Sequence, residues 1–186
     1  MDFQWYVYQS PLRGINLQLL ENVLVHGSVF AVLLTVYLLG IMRGLNPRIW
    51  AFSDYPREIT DHVPPQTARE RKIGAYIAIP FFILGIGFPL VSTMMLESLY
   101  GGSIPLLDAF LNIFGIVMFG NIADFVILDW LIVGTITPDW VIIPGTEHMR
   151  DKEYKDFRLY HAKDHARALI LLVILSLLFA AAVVYL

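Results

Sequence analysis

Residues 104–134 read IPLLDAFLNIFGIVMFGNIADFVILDWLIVG, and only Asp108, Asp124 and Asp129 bring charge into this stretch. As a helix rising 1.5 Å per residue it would be about 45 Å long, enough to cross the hydrocarbon core of a bilayer and project through one headgroup layer. Residues 17–41, 73–96 and 166–186 form three more apolar runs, each meeting the roughly 20 residues that a helical span requires. The chain is therefore expected to be an all-α integral membrane protein: four transmembrane helices in an antiparallel bundle, forming a single membrane domain over 1–186.

The composition agrees. Apolar residues make up 57% and charged residues 16%, with a mean hydropathy of +0.63, against about 25% charged in soluble proteins. A net charge of −3 gives no electrostatic case for a nucleic-acid partner. The absence of cysteine excludes disulfides, thiolate metal ligands and cysteine nucleophiles.

Charge placement sets the expected orientation. Arg43, Arg48, Arg57, Arg69, Arg71 and Lys72 lie in the first long connector, and Arg150, Lys152, Lys155, Arg158, Lys163 and Arg167 in the last connector and its junction with run four. Positive residues stay on the cytoplasmic side, so both connectors are expected there, with the N-terminus and C-terminus outside. A multi-pass protein of the cell inner (plasma) membrane follows. Trp5, Tyr6, Tyr8, Tyr100 and Tyr185 fit as outer interface anchors, and Trp50, Trp130 and Trp140 as inner ones. The first 12 residues hold no Lys or Arg, so run one reads as a retained helix and not a signal peptide.

Local signals fill in the elements. Thr67-Ala68-Arg69-Glu70 is a capping box that opens the second helix. Pro80, Gly85, Gly87 and Pro89 predict a kink within it. Gly101-Gly102-Ser103 predicts a tight outer turn, with Ser103 as N-cap and Pro105 in the first turn of the third helix. Trp140 to Gly145 reads as a short strand-like or interfacial segment, and the residues from Asp151 onward as a helix running into the fourth span.

Ionisable groups inside a span are costly and mark candidate sites. At the outer end these are His26 and Asp108, with Glu21, Asn22, Glu97 and Asn112 nearby. They read either as a proton or cation relay, or as an interhelical hydrogen-bond set with His26 neutral and paired to Glu97 or Asp108. At the inner end Asn121 and Asp124 share one helical stripe, whereas Asp129 is expected about 140° away at the α-helical pitch, toward a different neighbour. The base of the fourth helix offers His161, Asp164 and His165 as partners, together with Arg167.

His161 and His165 stand one turn apart, the spacing at which two imidazoles reach one ion, and Asp164, or Asp124 from the third helix, would complete an imidazole and carboxylate set suited to a divalent metal such as zinc, iron or manganese. The alternative is a set of solvated interfacial residues. The loop bearing Asp139, Glu147 and His148 could meet a lipid headgroup. Function is therefore expected to be a transport, ion-handling or ligand-binding module with polar sites at both ends of the third helix. The alternatives are a membrane-surface enzyme acting on a lipid-like substrate, metal-dependent or not, and an accessory subunit. The partners to expect are the lipid bilayer, further copies of the chain or a larger membrane complex.

Overall fold

The computed structural model describes residues 16–186, and among them it is all-helical, with no strand. Four helices are long and apolar enough to cross a membrane: Leu17–Gly44, Ala68–Leu99, Leu106–Ile136 and Arg158–Tyr185. Side chains such as Val32, Val36, Ile170 and Leu178 are exposed on their outer faces. The readings of Trp5, Tyr6, Tyr8 and the leading 12 residues fall outside the described residues.

Glycine sets the closest helix packing. Gly115 and Gly120 of the third helix receive Val23 and Phe30 of the first, and Gly27 of the first receives Phe119 of the third. In each case an added Cβ would sit within 2.7 Å of the facing side chain, so these helices approach through small residues. Both run in the same direction. The second helix is antiparallel to them, since Asn22 meets Ser92 near one end and Tyr37 reaches the Ile77 carbonyl toward the other. The fourth is antiparallel to the third, with Arg158 donating to the Gly134 carbonyl and His165 meeting Asn121.

Thr67 and Glu70 form the expected capping box. The expected kink takes the form of a π-helical segment, Ile83–Gly87. Pro80 and Pro89 flank it and leave the Tyr76 and Gly85 carbonyls without the N–H that an α-helix would supply. Before this segment, no residue of Ala68–Phe82 is buried.

Three expectations are corrected. Gly101 and Gly102 turn the chain at positive φ, as glycine readily does, but the N-cap of the third helix is Pro105 and not Ser103. The fourth helix begins at Arg158 and not near Asp151, because Tyr154 and Phe157 turn inward to become buried. The segment after Trp140 is neither strand nor surface. Val141, Ile142 and Ile143 are buried with Tyr55, Ile59, Met149, Tyr154 and Phe157. The two connectors thus fold onto each other as an apolar cap on one end of the bundle.

Hydroxyls pin this cap. Tyr55 donates to the Val141 carbonyl at 2.9 Å, and the Tyr154 hydroxyl accepts from the Ile143 N–H at 2.9 Å. Burial holds both phenols above the ordinary tyrosine pKa.

Candidate functional site

The third helix changes winding where its carboxylates begin. From Asp124 to Ile136 it is π-helical, and Thr137, in the left-handed region at φ 48°, ends it with its N–H on the Ile132 carbonyl at 2.8 Å. With i→i+5 winding, residues five apart return to nearly the same face. Asp124 and Asp129 are five apart. The expectation that Asp129 points away from Asp124 rested on α-helical pitch and is corrected: both carboxylates line one cavity.

That cavity has a volume of about 930 Å³. It lies between the uncovered half of the second helix and the first, third and fourth helices. Its connector end carries Asp54, Asp124, Asp129, Asp164, His161 and His165, together with Ser53, Gln66, Arg71 and Asn121, and the remainder is largely apolar, walled by residues such as Phe30, Phe81, Leu172 and Phe179.

The polar end is organised around one oxygen. Asp129 Oδ2 lies 3.0 Å from His161 Nδ1 and 2.8 Å from His165 Nε2. An ionised carboxylate only accepts, so each imidazole donates to it. His165 Nδ1 then meets the side-chain amide of Asn121 at 2.8 Å. Facing the amide oxygen the ring donates a second time, as an imidazolium does, and facing the amide nitrogen it accepts, as a neutral imidazole. In this structure the amide oxygen faces the ring, so losing that proton keeps the contact only when the Asn121 amide turns over.

Its neighbours are less satisfied. The Asp124 side chain makes no hydrogen bond among the described residues, and Asp164 is paired with Arg167 at 2.8 Å. Asp54, from the first connector, lines the cavity from an exposed position, with the Ser53 hydroxyl beside it. His161 is buried, and its Nε2 has no hydrogen-bond partner.

Of the expected inner residues, Asn121, Asp124, Asp129, His161, Asp164 and His165 all line the cavity. As a metal set, His161, His165 and Asp164 do not converge: both imidazoles turn to Asp129 and Asp164 to Arg167. Among the described residues, no three His, Asp or Glu side chains are grouped to hold a metal ion.

The outer candidates are separate from the cavity. His26 Nδ1 meets Ser92 at 2.6 Å rather than Glu97 or Asp108. Asn22 donates to Ser92 at 2.9 Å and to Asn112 at 2.8 Å, and Asn112 donates to Thr93 at 3.0 Å. This is a buried polar joint across three helices. Asp108 accepts from the Tyr100 hydroxyl at 3.0 Å, and burial followed by that bond pushes the phenol up to about 12. In the last connector, Asp139 pairs with Arg150 and Glu147 accepts the Gly145 N–H at 3.0 Å, which lowers the Glu147 pKa. Compared with protein-family models, curated proteins and solved structures, the chain matches none of them.

Proposed function

We propose that this protein is a membrane-embedded ligand-binding module whose ligand occupies the cavity beside Asp124 and Asp129. The observation that carries this reading is the cavity itself. Its volume of about 930 Å³ falls within the roughly 300–1,000 Å³ typical of small-molecule sites. Its walls are largely apolar, with a few polar groups converging at one end, the usual division between affinity and orientation. An unpaired carboxylate at the edge of the hydrocarbon is costly to keep, and a site for a ligand gives that cost a use.

In this reading the chain is inserted as a multi-pass protein of the plasma membrane. Both connectors lie on the cytoplasmic side, so the polar end of the cavity sits at the inner leaflet. The imidazole–carboxylate cluster adds a proton that can move when the ligand arrives.

The test is compositional. Purified protein is extracted and the extract compared by mass spectrometry with that from Ala168→Phe and Ala75→Phe, which fill the cavity from opposite walls. A small molecule retained by the parent and lost from both folded variants supports the reading. Identical extracts, together with unchanged binding in Asp124→Asn, would overturn it.

A second reading is acid–base catalysis on a lipid-like substrate, favoured by the single Asp129 oxygen shared by two imidazoles. It requires that the retained molecule be chemically altered with time, and that His165→Gln stop the alteration while retention persists.

A further inference from the structure

The charge balance at the polar end of the cavity specifies its ligand further, given the ligand-binding reading above. Four carboxylates line it, and two are occupied, Asp129 by the imidazoles and Asp164 by Arg167. Asp54 and Asp124 remain. The one arginine in the lining, Arg71, donates to the Gln66 carbonyl.

An independent observation points the same way. His161 lines the cavity, is 7% exposed, and donates from Nδ1 to Asp129, while its Nε2 has no hydrogen-bond partner. The Asp124 side chain has no partner and Asp54 reaches the same end from an exposed position on the connector, and the complement of two such carboxylates is a head group that donates hydrogen bonds and carries positive charge. The apolar part of the cavity runs from this end along the second and fourth helices, past Ala75 and Phe82 on one side and Ala168 and Leu175 on the other. No residue of Ala68–Phe82 is buried, so this wall is not sealed against the bundle.

We infer that the ligand is a single-tailed amphiphile with a protonated amine head, taken up from the surrounding lipid between the second and fourth helices. Its ammonium sits between Asp54 and Asp124, and its tail lies along Phe81, Phe82, Leu172 and Phe179.

The experiment uses the full chain in zwitterionic nanodiscs, titrated with hexadecylamine, hexadecanol and palmitate, and read by intrinsic tryptophan fluorescence and by native mass spectrometry. The amine should bind at least about tenfold tighter than either counterpart. Asp124→Asn and Asp54→Asn, both close to isosteric, should each remove most of that preference. Asp108→Asn, at the opposite end of the bundle, should keep it, and Ala168→Phe should weaken all three amphiphiles together. Saturable binding that does not distinguish the heads, or a preference that survives in the Asp54→Asn/Asp124→Asn double variant, would overturn the amine inference and leave the cavity reading standing. If none of the three amphiphiles saturates, and the mass-spectrometric comparison also finds nothing retained, both readings fall.

Discussion

Asn112 is fully buried and bonded to both neighbouring helices, through Asn22 on one side and Thr93 on the other. Replacing it with leucine leaves the amide of Asn22 and the hydroxyl of Thr93 with fewer partners, while the added bulk must fit among fully packed atoms. Asn112→Leu should destabilise the fold by about 1–2 kcal/mol, the upper range for polar contacts between membrane helices. Thermal unfolding in detergent would check this, and a variant as stable as the parent would remove the polar joint from the account. The sequence made Asn22, His26 and Asn112 visible because polar residues stand out in an apolar run. It did not reveal their partner. Ser92 is a small hydroxyl of a kind common in membrane helices, and only the rotation of the second helix brings it between His26 and Asn22. Asp54 was invisible for a different reason: it is one acid among several in a charged connector, and only the folding of that connector carries it to the cavity.

Winding and capping decide more of this molecule than helix positions do. The four long helices were legible because composition and length suffice to find them. The second helix also opened at its capping box, a local signal. The π winding from Asp124 to Ile136 was not legible, since no proline or glycine pair marks where it starts, and pitch decides which carboxylates meet. The connector cap was missed because Val141, Ile142 and Ile143 form too short a run to signal a core unless Tyr55 and Tyr154 are known to face them.

That cap carries a pH signature. Unfolded tyrosine titrates near 10, and burial raises the folded values of Tyr55 and Tyr154 above this. The native cap therefore holds these protons more tightly than the unfolded chain does. Its stability is fully present below about pH 10 and is lost as pH rises through the folded values. Fluorescence of Trp140, which packs against the cap, should report unfolding above about pH 10, while helical circular dichroism from the four long helices persists. Tyr154→Phe should flatten that pH dependence and, by leaving the Ile143 N–H without its acceptor, lower stability at neutral pH by about 1–3 kcal/mol. An alkaline transition of unchanged position and size in Tyr154→Phe would contradict this account.

At the scale of the whole molecule, the charged connectors and the polar end of the cavity share one end, and the Gly101–Gly102 turn lies at the other. The chain contains no cysteine, so single-cysteine variants report accessibility without background. In sealed right-side-out vesicles, cysteine at Gly102 should react with a membrane-impermeant maleimide, and cysteine at Lys152 should react only after the vesicles are opened. The reverse pattern would invert the proposed orientation.

The fourth helix supplies both imidazoles, whereas the carboxylate they clasp, Asp129, belongs to the third. A ribosome adding roughly 5–20 residues per second takes a few seconds to pass from residue 136, where the third helix ends, to His165. Throughout that interval Asp129 is already translated and the two imidazoles that will answer it are not. Under the proposed membrane insertion, the nascent chain therefore passes through a stage at which Asp129 has no partner, and it must be sheltered from lipid until the last helix arrives.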